Sequence, residues 1–168
     1  MNNTNQGKLQ NIEESDQAFS NWFFSNAFKE IIYTMTGMEV SEEKVTEETI
    51  KDLKEQISGV IMLIGNKRIM ISISMSTYSA KNMVASMTGL KADSLTQEDL
   101  VDGAAELANI AAGKVKAKLS STGEHYDILL PYSIIGDNHS IIHKNKSAVL
   151  MRLYHTENIA VMVKVFFL

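Results

Sequence analysis

Apolar side chains recur along this chain at two different spacings, and the changes between them mark out helices and strands. Between Asp16 and Met38, Phe19, Trp22, Phe23, Ala27, Ile31 and Met35 fall at the three- and four-residue intervals of one helix face, and Gly37 supplies a stop. Ile57 to Ile64 and Arg68 to Ser76 read as strands. In the second, Ile69, Ile71, Ile73 and Met75 alternate with Met70, Ser72, Ser74 and Ser76. Gly65-Asn66-Lys67 between them favours a tight hairpin. A short helix is expected from Tyr78 to Thr88, closed by Gly89. Thr96 and Asp99 have the spacing of a capping box and open a helix that runs to about Ser120, with Gly123 just beyond. Tyr126 to Leu130 is strand-like and ends at Pro131. Ser147 to Tyr154 and Ile159 to Leu168 form an antiparallel pair turned through His155-Thr156-Glu157-Asn158.

Because consecutive strands are joined mostly by short turns, the expected class is α+β: a mostly antiparallel sheet of about six strands with helices packed on it. The acidic connector from Glu39 to Glu55 alternates Glu and Lys, and reads as a solvated loop or edge element. Residues 1–14 read as a flexible N-terminal tail and residues 15–168 as a single domain.

Composition narrows the function classes. Lys and Arg number 16 against 20 Asp and Glu, a net charge of -4 with no basic cluster, so nucleic-acid and anionic-membrane binding lack their electrostatic footprint. Without cysteine the chain has no thiolate nucleophile, disulfide or Cys-type zinc site. Its start has no apolar signal-peptide core, and no apolar run approaches the roughly 18 residues of a membrane span, so a soluble cytoplasmic protein is expected.

The most informative element is the helix after Thr96. On a wheel of about 100° per residue, Leu100, Ala104, Leu107, Ala108, Ala111 and Val115 gather on one side, which must face the core. Asp99, Asp102, Glu106, Asn109, Gly113 and Lys116 fall opposite, flanked by the small residues Ala105 and Ala112. Any amphipathic helix has a polar face, yet a merely solvated one is usually dense in Lys and Glu, which are good helix formers. This face carries a mid-helix Asn followed by a Gly, the latter costing roughly 0.5–1 kcal/mol relative to alanine. Something that must approach closely accounts for both.

The run Asp102-x3-Glu106-x2-Asn109, continued as Ile110-Ala111-Ala112-Gly113-Lys114-Val115-Lys116, closely resembles the signature of the CheC/CheX/FliY phosphatases of bacterial chemotaxis. Asn26-Ala27-Phe28, Ser58-Gly59-Val60-Ile61, Leu129-Leu130-Pro131 and Ile134-Ile135-Gly136 fit the same family in order, so the likeness extends from about residue 20 to the end. It implies a CheC-like fold and hydrolysis of the aspartyl phosphate of a CheY-type response regulator. On that likeness Asn109 orients the attacking water and Glu106 pairs with a lysine of the receiver domain. Asp102 contacts the partner's rim, and Gly113 leaves room for its backbone. The magnesium ion belongs to the receiver, so no cofactor of the chain's own is implied. A rival reading is an adaptor of the same fold that binds a receiver with little turnover.

CheC-type relatives carry the motif twice. Here the first helix keeps only Asn26; its acidic positions are Phe19 and Phe23, which read as core residues. One site per chain resembles CheX, whose members form homodimers through their sheets, and the long C-terminal strand is a candidate edge for such pairing. His139 and His143 sit in a loop-like setting with no HExxH pattern and read as surface residues rather than metal ligands. The ten methionines read as core filler.

Overall fold

The computed structural model describes residues 14–142 and 148–168. The expected tail up to residue 13, and also His143 and Ser147, lie outside the described residues. The first helical segment, α1 (Glu14–Trp22), passes through a π-helical stretch (Phe23–Phe28) into α2 (Lys29–Thr36). Gly37 ends it at φ 72°, a left-handed position that suits glycine. Then come β1 (Ser41–Lys44), α3 (Glu47–Asp52), and the hairpin of β2 (Ile57–Ile64) and β3 (Arg68–Met75). The chain continues through α4 (Thr77–Thr88), a 3-10 turn (Ala92–Ser94) and α5 (Gln97–Ser120). Strands β4 (Asp127–Ile128), β5 (Tyr132–Ile135), β6 (Ala148–His155) and β7 (Ala160–Phe167) complete it.

All seven strands join one antiparallel sheet in the order β1-β6-β7-β3-β2-β4, with β5 also pairing β2. One face carries Ile57, Ile61, Leu63, Ile71, Ile73, Val163 and Val165 into the main core beneath the helices. Phe23, Phe24, Phe28 and Ile32 from the first helix meet them there, together with the apolar side of α5. The opposite face holds a smaller cluster around Val60, Met70 and Phe166.

Two expectations are corrected, for the segment 126–130 and for the C-terminal strand. The segment 126–130 keeps only the two-residue β4. Pro131 has no N–H to donate, so the ladder along β2 breaks there and resumes as β5, a strand that the sequence pattern did not mark. The sheet has seven strands, close to the about six expected. The acidic connector takes the second of its two readings, an edge element rather than a loop. It forms the edge strand β1 and the helix α3, opened by a capping box between Thr46 and Thr49. Its last residue, Glu55, is buried against Lys164 at 2.6 Å. The C-terminal strand offers no edge, because β7 lies between β6 and β3 and is buried on both faces. Its near-continuous apolar run is what a central strand needs. Finally, Ser58, Ser72 and Ser74 sit on a covered face and hydrogen-bond one another. The alternation in β3 thus sorts two buried environments.

Candidate functional site

Five constraints fix the orientation of α5. Its first turn is closed by a reciprocal capping box: the Asp99 N–H donates to Thr96 Oγ1 at 3.2 Å, and the Thr96 N–H donates to Asp99 Oδ2 at 2.7 Å. These bonds from the Thr96 backbone and hydroxyl hold the Asp99 carboxyl below its ordinary pKa. At Gly59 of β2, an added Cβ would collide with the carbonyl of Ala104, so the glycine is what lets helix and strand touch. Gly103 does the same against Val84 of α4. Ser133 Oγ of β5 donates to the Val101 carbonyl at 2.9 Å, and Lys114 reaches Glu30 of α2 at 2.6 Å.

With the helix so held, Leu100, Ala104, Leu107, Ala108, Ala111 and Val115 are buried, as the wheel requires, and Ala112 joins them from the flank. Asp102, Glu106, Asn109 and Gly113 are all exposed on one continuous face. Neither Asp102 nor Glu106 forms an ion pair among the described residues. A Cβ built on Gly113 meets nothing within 4 Å, so the packing of this chain does not demand a glycine there. The chain accepts the cost of a mid-helix glycine on a surface that it leaves open.

On the α4 side, this face borders a groove of about 320 Å³. Met35 of α2 and Val84, Met87 and Thr88 of α4 wall it, Gly103 lies at its base, and Asp99, Asp102 and Glu106 rim it. The sequence pattern places Met35 on the core face of its helix and treats the methionines as filler; only the packing of three helices shows that some line an opening. Gly103 was equally silent, since a glycine in a helical run gives no hint of the helix that it admits.

The other candidates fall away. Phe23 is fully buried and Phe19 packs on the core, stacked on Phe23 with ring centroids 6.0 Å apart, while Asn26 is exposed with no acidic neighbour at the motif positions. His139 is not a surface histidine. It is half-buried, and its Nε2 lies 2.7 Å from Ser58 Oγ in the serine cluster on the far side of the sheet. No group of three or more candidate metal ligands forms among the described residues. No helix among them is long and apolar enough to cross a membrane.

An antiparallel sheet whose core face is covered by α2, α4 and α5, with a solvent-facing Asp-x3-Glu-x2-Asn stripe on α5, defines a CheC-like protein. The structure is similar to a CheC-like superfamily protein from Shewanella sp. PV-4, with TM-score 0.77 and 25% identity over 89% of this chain and 97% of that one. It is also similar to the chemotaxis protein CheX of Vibrio vulnificus, with TM-score 0.76 and 22% identity over 89% and 96% of the two chains. A third similar structure is the CheX-CheY-BeF3-Mg2+ complex of Borrelia burgdorferi, with TM-score 0.71 and 20% identity over 86% and 95%. The model of the family described as chemotaxis phosphatase CheX matches residues 57–154, which include the whole of α5. This chain belongs to that family. No curated protein matches it.

Proposed function

We propose that this chain removes the phosphoryl group from the phosphoaspartate of a CheY-type receiver domain. The observation that carries this reading is the exposed, unpaired Glu106-x2-Asn109 face of α5, in a chain of the CheX family. A structure similar to this one is itself a complex of CheX with CheY, BeF3 and magnesium.

Hydrolysis of an acyl phosphate needs an in-line water and a stabilised charge distribution rather than a covalent intermediate. The Asn109 carboxamide accepts a hydrogen bond from that water and stays neutral, so it orients the nucleophile without deprotonating it. Glu106 stands one helical turn away on the same face and pairs with a receiver lysine, fixing the register in which Asn109 meets the phosphoryl group. Asp102 touches the rim of the partner. Gly113 lets the partner's backbone lie against the helix. The magnesium ion is held by the receiver and neutralises charge on the transferring group.

The test is the decay of phosphorylated CheY-type receiver in the presence of the protein. Wild type accelerates the loss of phosphate, and Asn109→Ala lowers that acceleration on the order of 100-fold, the scale of one positioned hydrogen-bonding group. Binding to the phosphorylated receiver with no change in phosphate lifetime would make the protein an adaptor instead. We further propose that the chain pairs with a second copy along the outer side of β6. Among the described residues, β1 covers only Arg152–His155 of that side. A monomer in sedimentation equilibrium overturns that pairing.

A further inference from the structure

Glu106 faces two ways. It stands beside Asn109 on the outer face of α5, and it also rims the groove between α2, α4 and α5. Inside, the groove is apolar: Met35 and Met87 are half-buried and Val84 is buried. At its mouth stand the carboxylates of Asp99, Asp102 and Glu106, and among the described residues no Lys, Arg or His lines it. One oxygen of Asp99 is committed to Thr96, whereas Asp102 and Glu106 have no ion pair among the described residues.

Apolar walls with an acidic rim are complementary to a long basic side chain, whose methylene stem is apolar and whose head is cationic. Methionine walls suit such a stem, because the thioether is polarisable and unbranched and adapts to its contour. Adjacent carboxylates without cations also repel one another, and an arriving cation relieves that repulsion.

We propose that this groove docks a second basic side chain of the receiver, distinct from the lysine that Glu106 meets, and so sets which receiver the protein serves. The inference rests on the receiver-phosphatase reading above. Asp102 is the principal charge partner, and Met35 and Met87 hold the stem. Genomes that encode many similar receivers need a discriminating contact outside the reacting centre, and a charged side chain in a shaped groove supplies one.

The experiment measures kcat and KM with phosphorylated CheY-type receiver for wild type, Met87→Lys and Asp102→Lys. Met87→Lys puts a cation in the groove while leaving Glu106 and Asn109 in place. The expected result is a KM raised about ten-fold or more in both variants, with kcat of Met87→Lys within about two-fold of wild type. A receiver in which one surface Lys or Arg is changed to Glu is then expected to be a poor substrate of wild type and a restored one of Asp102→Lys. Unchanged KM in both variants, with wild type active and Asn109→Ala inactive, overturns the groove and leaves the phosphatase reading standing. Raised KM that no charge-reversed receiver restores overturns the basic occupant. A wild type that accelerates no receiver's dephosphorylation overturns both readings together.

Discussion

Gly113 and Gly59 are the same residue type in opposite circumstances, and their substitution separates function from folding. At Gly113 a methyl group meets open space, so Gly113→Ala is expected to raise stability by about 0.5–1 kcal/mol through helix propensity while lowering phosphatase activity. Thermal melting and phosphate decay, measured on the same sample, check both halves. At Gly59 the added methyl runs into the Ala104 backbone, which no side-chain rotation relieves. Gly59→Ala is therefore expected to cost about 2 kcal/mol or more, read as a lowered urea midpoint, because α5 must lift from the sheet. Asn109 and Glu106 were legible in the sequence, since helical periodicity alone puts them on one face. The role of Gly59 was not: a glycine inside a strand signals some close approach, and only the assembled sheet shows that α5 is the partner.

At the scale of the element, α5 is both the part most legible in the sequence and the part that carries the candidate site. Its start, end, buried side and exposed side all follow from the local pattern, and Thr96 and Asp99 make the expected box. Thr96→Ala is expected to destabilise the fold by about 1 kcal/mol by removing the side-chain cap of α5. Asp99 adds a pH dependence. Its pKa is lower in the folded chain than its ordinary 3.8, because the charged form accepts the Thr96 bonds. Its contribution is thus complete above that ordinary value and fades as pH falls through the lower folded one. Denaturant titrations between about pH 6 and 2, the acid window of a carboxylate, should show wild type losing stability toward acid more steeply than Asp99→Asn. The sequence pattern predicts a continuous first helix, and its π-helical stretch at Phe23–Phe28 is invisible to a 3.6-residue period. There the Phe24 carbonyl accepts from the buried Tyr154 hydroxyl at 2.8 Å, and burial pushes that phenol well above its ordinary pKa. Tyr154→Phe is expected to cost about 1–2 kcal/mol in the same titration, since a buried carbonyl loses its donor.

At the scale of the whole molecule, the two faces of the sheet carry different chemistry. The helical face is an apolar core that positions α5. The far face buries Ser58, Ser72 and Ser74 together with the ion pair of Lys164 and Glu55, whose side chains are 7% and 6% exposed. Removing one member of such a pair strands a buried charge, so Lys164→Ala is expected to cost about 3–5 kcal/mol, whereas joint replacement by Lys164→Met and Glu55→Leu restores most of it. Chemical denaturation of the three variants checks this. The similar structures share this overall architecture, and the exposed face of α5 lies on its helical side.

The sequence by itself determined what depends on neighbours within a turn or a pleat. That includes the helix and strand periods, the caps at Thr96, Gly37 and Gly89, the β2–β3 hairpin, and the shared face of Asp102, Glu106 and Asn109. The tertiary structure decided what depends on residues far apart in the chain. It made β7 central rather than an edge, buried Glu55 of an acidic connector against Lys164, and turned Met35 and Met87 into the walls of a groove beside Glu106. The physical reason is the range of the interactions. Backbone hydrogen bonds and side-chain spacing are fixed within a few residues, whereas burial and charge pairing depend on which surfaces the folded chain brings together.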